Sequence, residues 1–116
     1  MAVHLLTPRG SPDDPLPRLH RVARNNRLDA DAQHDYGFGL LMSGRGAEAL
    51  EWLERAARLD PKRPAFQTNL AAALHQVGQW HQGLWHATQA YELKPTVMSA
   101  INVAGFYYWF GEIEDA

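Results

Sequence analysis

The chain has 116 residues, enough for one small domain, and its 46% hydrophobic and 21% charged residues are ordinary for a globular protein. Its formal net charge of −2 and its pI near 6.3 give no reason to expect nucleic acid or an anionic membrane as a partner. The absence of cysteine excludes disulfides, cysteine-ligated metals and a cysteine nucleophile.

The N-terminal residues, 1–14, are predicted to form a disordered, proline-rich leader. Pro8, Pro12, Pro15 and Pro17 lie close together, and prolines at this density are incompatible with a helix interior. A secretory signal has basic residues followed by an apolar run, and the sequence does not show this pattern. No apolar run reaches the roughly 18 residues of a membrane span. We therefore predict a cytoplasmic location and no membrane as partner.

A short amphipathic helix is predicted at about 15–26, within an N-terminal capping helix and turn at 15–29. Leu16, Leu19 and Ala23 recur at intervals of three and four residues, which places them on one helix face. Arginines at intervals of three spread over about half of the helix circumference. We interpret them as a solvated outer face, with an anion-binding patch as the alternative: Arg18, Arg21, Arg24 and Arg27.

From about Ala30 the sequence repeats itself at an interval of 34 residues. The matching pairs are Leu40 and Leu74, Gly44 and Gly78, Ala56 and Ala90, Leu59 and Leu93, and Pro61 and Pro95. A third copy follows at an interval of 33, so that Asn69 corresponds to Asn102. Internal periods of about 20–50 residues are typical of stacked supersecondary units. We therefore divide the rest of the chain into repeat 1 (30–63), repeat 2 (64–96) and a partial repeat 3 (97–116).

Each repeat is predicted to contain a helix, a glycine break and a second helix. The expected helices are at about 30–43, 46–59, 64–77, 80–93 and 97–110. The expected breaks are Gly44, Gly78 and Gly111, and Pro61 and Pro95 end the first two repeats. The predicted fold class is all-α, an α-solenoid of antiparallel helix pairs.

These residues resemble the tetratricopeptide repeat, a 34-residue helix-turn-helix unit. The family pattern has a small residue midway along the first helix, matched by Gly37, Ala71 and Ala104, and a large apolar residue three positions later. The resemblance implies a right-handed superhelix whose first helices line a concave groove. In this family such a groove binds an extended peptide or a helix of another protein.

By this resemblance, the peptide-binding groove is predicted to be lined by residues from the first helix of each repeat. They are Asp31, His34, Asp35, Phe38, Thr68, Asn69, Ala72, His75, Gln76, Met98, Ile101, Asn102, Gly105, Tyr108 and Trp109. Asn69 and Asn102 are equivalent, and a side-chain amide can pair in both directions with a peptide backbone. This resembles the asparagine ladder of protein O-GlcNAc transferases. The alternative is that each amide bonds to the neighbouring helix.

The charges along the groove predict which ligand would fit. No lysine or arginine is found at the lining positions, whereas repeats that clamp the C-terminal carboxylate of chaperones use such residues. We therefore expect no binding of that type. Asp31 and Asp35 make the first part of the groove acidic while the third part is aromatic, so we expect a ligand with a basic segment and an apolar one.

No catalytic or metal site is predicted. His81 and His86 do not share a helix face, His34 and His75 lie on different helices, and no carboxylate accompanies them at ligand spacing. No phosphate-binding loop or nucleophile elbow is present. We predict a non-enzymatic interaction scaffold with no cofactor. The alternatives are the repeat segment of a larger enzyme, such as a glycosyltransferase, and an oligomerising assembly adaptor.

Five consecutive aromatic residues at 106–110 put apolar surface all round the last predicted helix, which is typical of a buried helix. Two interpretations are open. Either the chain is a piece of a longer array, or this helix docks on another subunit. In both cases we expect self-association of the isolated chain through residues 106–110.

Overall fold

The computed structural model describes residues 13–115, with side chains as far as Gly111, and within this range it contains six helices and no strand. The helices are α1 (Leu16–Asn25), α2 (Ala30–Met42), α3 (Gly46–Leu59), α4 (Pro64–Gln76), α5 (Trp80–Leu93) and α6 (Val97–Asp115). Almost all of the leader predicted at residues 1–14 lies outside the described residues. The first five helices begin and end within one residue of their predicted bounds.

Neighbouring helices pack on one another in consecutive pairs, from α1 on α2 to α5 on α6, and α2 also contacts α4. Three-residue turns join α2 to α3 and α4 to α5, so the helices of each pair run antiparallel. The molecule is elongated, with extents of 45 × 29 × 22 Å. The fold is an all-α solenoid, as predicted.

Helices α2 and α4 end in the same way. Gly44 and Gly78 have positive φ angles of 76° and 81°, a conformation that residues with a Cβ rarely adopt. The amide that follows each glycine donates to a carbonyl five residues earlier, Arg45 to Leu40 and Gln79 to Leu74, both at 2.9 Å. These are Schellman caps, and they confirm the two predicted glycine breaks.

The predicted break at Gly111 is wrong. Helix α6 continues through this glycine to Asp115, and Gly111 does not have a positive φ. A glycine inside a helix costs only about 1 kcal/mol relative to alanine, so it permits a break without enforcing one. The second helix predicted to begin after Gly111 does not form in the described residues.

Small residues allow neighbouring helices to approach closely, both within a repeat and between repeats. A Cβ added at Gly37 would lie 2.8 Å from the Leu53 side chain, and one added at Gly83 would lie 2.6 Å from the Phe106 ring. Both distances are shorter than van der Waals contact, so Leu53 and Phe106 occupy the space that the glycines leave open. The missing Cβ at Gly83 therefore lets α6 of the third repeat pack closely on α5 of the second repeat.

Two hydrophobic clusters form the core of the described residues. The larger one is built on α1 to α4, with Leu40, Leu41, Leu53 and Phe66 at its centre. The smaller one joins α4, α5 and α6 and has only Ala71, Ala87 and Phe106 as buried members. The core therefore becomes thinner toward α6.

A buried glutamine ties the first repeat to α1. The Gln33 amide donates to the carbonyls of Ala23 (2.8 Å) and Asn26 (3.0 Å), and its Oε1 accepts from Arg55 (2.7 Å). The side chain is fully buried and all of these bonds join different helices or turns. Gln33 therefore fixes α1 against the α2–α3 pair.

The second repeat has an equivalent glutamine 34 residues later. Gln67 donates to the carbonyl of Pro61 (3.2 Å) and accepts from Nδ1 of His86 (2.6 Å). The third repeat has Ala100 at the corresponding position, so it lacks this link.

On α1 the structure agrees with a solvated outer face. Leu16 and Ala23 are buried, whereas all four arginines are exposed: Arg18, Arg21, Arg24 and Arg27.

Candidate peptide-binding groove

All of the residues predicted to line the groove are at least partly accessible. Half-buried positions are His34, Phe38, Thr68, Asn69 and His75, and the remainder are exposed. They come from α2, α4 and α6, because the same face of the first helix recurs in each repeat.

Eight of these residues line one cavity of about 460 Å³ between α4, α5 and α6, which we call the α4–α6 cavity. They are Thr68, Ala72, His75, Gln76, Ile101, Asn102, Gly105 and Trp109. Buried residues complete the lining: Ala71, Ala87, Ala90, Ser99 and Phe106. None of the lining side chains is a lysine, arginine, aspartate or glutamate.

Ring contacts hold one wall of this cavity in place. Trp109 stacks on Trp80 with centroids 6.3 Å apart, and it also contacts the His75 ring at 5.7 Å. Phe106 meets His75 edge to face at 5.6 Å. The Trp80 indole donates to the His75 carbonyl (3.2 Å), which fixes the cluster to the end of α4. These contacts hold an aromatic surface in place along this wall of the cavity.

The two equivalent asparagines have different surroundings. Asn69 Nδ2 lies 2.8 Å from Nε2 of His34 on the neighbouring repeat, so this amide bonds to the neighbouring helix. Asn102 is exposed at the α4–α6 cavity and makes no hydrogen bond with the described part of the chain. Asn102 is therefore the asparagine whose amide is available to a ligand.

His34 lies at the junction between α2 and α4. Its ring contacts Phe66 at 4.7 Å and Phe38 at 5.8 Å, and this burial lowers the pKa of the imidazole below its ordinary value of 6.5. An amide nitrogen can only donate, so Nε2 of His34 accepts from Asn69 and the ring proton is on Nδ1, 3.7 Å from Asp35. The imidazole is neutral at pH 7.

The acidic part of the predicted groove is partly neutralised within the chain. Asp31 forms an ion pair with Arg63 at 2.7 Å, whereas Asp35 is exposed and has the neutral His34 as its only ion-pair contact among the described residues. The Arg63 guanidinium also lies over the Phe66 ring, 4.4 Å from its centroid. Asp35 is therefore the carboxylate that remains available to attract a basic side chain.

Some predicted groove residues lie outside the lining of the α4–α6 cavity. On α6, Met98 and Tyr108 are well exposed but do not line it. The remaining members are on α2 and the adjoining part of α4: Asp31, His34, Asp35, Phe38 and Asn69.

Other residues at these sites were not among those predicted. Arg63 precedes α4 and so falls outside the first-helix face from which the set was drawn. Ser99 lines the cavity and also caps α6, because its hydroxyl accepts from the Thr96 amide (2.9 Å) while Thr96 Oγ1 accepts from the Ser99 amide (3.0 Å). The Thr-x-x-Ser spacing is a readable sign of such a reciprocal cap.

No group of three or more His, Asp or Glu side chains in the described part could hold a metal ion. Among the described helices, none is long and apolar enough to cross a membrane.

A second cavity of about 440 Å³ is formed by α3, α4 and α5. Its lining includes the exposed residues Arg58, Gln82 and Trp85, together with His86, whose pKa is lowered by burial. It shares no residue with the α4–α6 cavity, so substitutions of its exposed side chains are matched controls for substitutions at that cavity.

Comparison with known proteins relates the chain to repeat-containing ones. Residues 30–73, which include all of α2 and α3, match the family model described as tetratricopeptide repeat. The chain is also 32% identical over 89 residues to the TPR repeat-containing thioredoxin TTL4 of Arabidopsis thaliana. The similar region covers 76% of this chain and 13% of that protein, so the chain spans only a small part of its relative's length.

Proposed function

The chain belongs to the tetratricopeptide repeat family, and on that premise we propose that it is a non-enzymatic scaffold holding a partner protein's peptide or helix in its groove. Repeats of this family are generally protein–protein interaction modules. The observation that carries the proposal is the α4–α6 cavity, because accessible residues from two repeats converge on it. We assign this cavity to the side chain that anchors the ligand.

The lining favours an uncharged, apolar or aromatic anchor. A charged side chain would lose its hydration without meeting an opposite charge from a lysine, arginine, aspartate or glutamate, since none of these lines the cavity. Ile101, Phe106 and Trp109 supply apolar and aromatic surface, and Asn102 supplies an amide for the ligand backbone. The exposed Asp35 favours a basic residue elsewhere in the ligand.

The test begins with panning the full chain against a displayed library of random dodecapeptides. Each selected peptide is then titrated against wild type, Asn102→Ala and Ile101→Asp. Ile101 is exposed, so aspartate puts a charge at the cavity without disturbing the core. We expect at least tenfold weaker binding for Ile101→Asp and a smaller loss for Asn102→Ala.

The matched control is Gln82→Asp, which adds the same charge at the second cavity. It should leave the affinity unchanged. Failure to select any peptide, or equal affinities for Ile101→Asp and wild type, would refute the groove proposal.

A second candidate follows from the length of the relative, which is a thioredoxin that also contains repeats. In this alternative the chain is the segment of a larger protein that recruits its substrate, and it uses the same groove. The 116 residues contain no cysteine, so the dithiol of a thioredoxin in such a larger protein would lie outside them.

Self-association is the third candidate, and the exposure of α6 supports it. Of the five aromatics at 106–110, Phe106 is buried and Phe110 half-buried, while the other three are exposed: Tyr107, Tyr108 and Trp109. An assembly adaptor would use these rings for contacts between copies. Sedimentation equilibrium tests this, and a monomer at high protein concentration would argue against it.

A further inference from the structure

Two positions that are buried in the first two repeats are exposed in the third. Leu40 is 1% exposed and Leu74 is 3% exposed, whereas their equivalent on α6, Tyr107, is 62% exposed. The small residue three positions earlier follows the same trend, since Gly37 and Ala71 are buried but Ala104 is exposed. One face of α6 is therefore open where the same face of α2 and α4 is covered.

The structure shows what covers this face in the first two repeats. In repeat 1 it is α3, whose Leu53 packs over Gly37. In repeat 2 it is α5, where a Cβ at Gly83 would lie 3.3 Å from the Ala71 carbonyl. In both cases the covering element is an antiparallel helix. We call the open face of α6, formed by Ala100, Ala104 and Tyr107, the helix-pairing face.

The helix-pairing face is distinct from the groove. At 100° per residue, its centre lies about 155° around α6 from that of the groove residues Ile101, Asn102 and Trp109. The remaining third of the helix, with Ser99 and Phe106, packs on the second repeat. One helix thus has a packed face, a groove face and a face that no described residue covers.

We propose that the helix-pairing face binds an amphipathic α-helix of a partner in the antiparallel orientation that α3 takes on α2. This goes beyond the groove proposal and does not depend on it. The face continues the interface by which each earlier repeat pairs its own two helices. Its occupant therefore has the chemistry of α3 and α5: small residues at the points of close approach, with one leucine-type side chain.

Charge supports this choice of partner surface. Residues 97–111 contain no charged side chain, so the contacting face of the partner must also be uncharged. Helix α3 has such a face in Ala49, Leu53, Ala56 and Ala57, all buried, while its opposite side has exposed charges. Tyr107 is larger than the leucines at its equivalent positions, so the partner needs alanine or glycine opposite it.

The probe for this proposal is a fluorescein-labelled peptide with the sequence of α3, Gly46–Leu59, titrated with the full chain and followed by anisotropy. We expect saturable binding that weakens at least tenfold for the variant Ala104→Glu. Ala104 is exposed, so glutamate there leaves the fold intact, which circular dichroism checks. A peptide with Leu53→Asp should bind at least tenfold more weakly to wild type.

Two controls separate the possible outcomes. The first control is Gln82→Glu, which places the same charge on α5 and should leave the affinity for the α3 peptide unchanged. The second is a groove-selected peptide, which should bind Ala104→Glu with the same affinity as wild type. Equal binding of the α3 peptide to Ala104→Glu and wild type, or no binding at all, would overturn the proposal. If wild type does not bind the α3 peptide but self-associates, and Ala104→Glu does not self-associate, the face would be assigned to a second copy of the chain instead.

Discussion

At the scale of single residues, Gln33 is a buried polar side chain that links several elements of the described core. It is fully buried and makes hydrogen bonds to three different partners on α1, the following turn and α3. Its removal leaves two carbonyls and a guanidinium without this partner, and an unsatisfied buried group costs about 1–3 kcal/mol.

We therefore predict that Gln33→Ala lowers the free energy of unfolding by about 2–4 kcal/mol. Urea denaturation followed by circular dichroism measures this. Gln82→Ala is the matched control, because Gln82 is exposed and its truncation should change stability by no more than about 0.5 kcal/mol. Equal midpoints for the two variants would contradict this role of Gln33.

His34 makes stability depend on pH. Burial lowers its pKa in the folded chain below 6.5, the ordinary value expected when unfolded, so the unfolded chain binds the proton more readily. The contribution is therefore complete above pH 6.5 and is lost as the pH falls through the folded-state pKa. Protonation of Nε2 also replaces the acceptor that faces Asn69 with a donor.

We predict that wild type is less stable at pH 5 than at pH 7 and that His34→Gln reduces this difference. Glutamine cannot take up the proton but still offers an oxygen to Asn69. Urea midpoints at several pH values between 5 and 7 measure the slope. An unchanged slope in His34→Gln would show that other groups set the pH dependence.

The helical period identified accessible groove residues but not their partners. Asn69 and Asn102 are equivalent in sequence, yet among the described residues only Asn69 bonds to a neighbouring helix, where it meets His34. The pairing of Asp31 with Arg63 was likewise not predictable, since it depends on how two repeats stack. The periodicity of the sequence predicts on which face of its helix a residue lies. Predicting its hydrogen-bond or ion-pair partner also requires the register between neighbouring helices.

At the scale of the helices, three equivalent glycines have two different roles. Gly44 and Gly78 have positive φ angles and end their helices, while Gly111 lies inside α6. The sequence could not separate them because glycine is compatible with both conformations. In the first two repeats the residues that follow the glycine form a second helix, which packs on the first.

We predict that Gly44→Ala destabilises the chain by about 1–2 kcal/mol, because alanine is strained at positive φ. Gly111→Ala should raise stability by up to about 1 kcal/mol, because alanine favours the helix and a Cβ there meets no atom within 4 Å. Thermal unfolding of both variants gives the comparison. A destabilising effect of Gly111→Ala would indicate that this glycine ends a helix in solution.

At the scale of the whole molecule, the stack of helix pairs was predictable and the cavity was not. The repeat interval, the small residues and the proline stops determine which helices pair. The α4–α6 cavity depends instead on Phe106 filling the space beside Gly83 and on Trp109 stacking against Trp80. Both contacts join different repeats, so they follow from how the repeats fit together.

The central claim, that the groove binds its ligand at the α4–α6 cavity, is tested most directly by the indole N–H signals of the four tryptophans in an NMR titration with a groove-selected peptide. Trp109 lines this cavity, Trp85 lines the second one, and Trp52 is buried near α1. We expect the Trp109 signal to shift on binding, with a smaller shift for the stacked Trp80, while Trp52 and Trp85 stay unchanged. A shift of Trp85 with Trp109 unmoved would contradict the account.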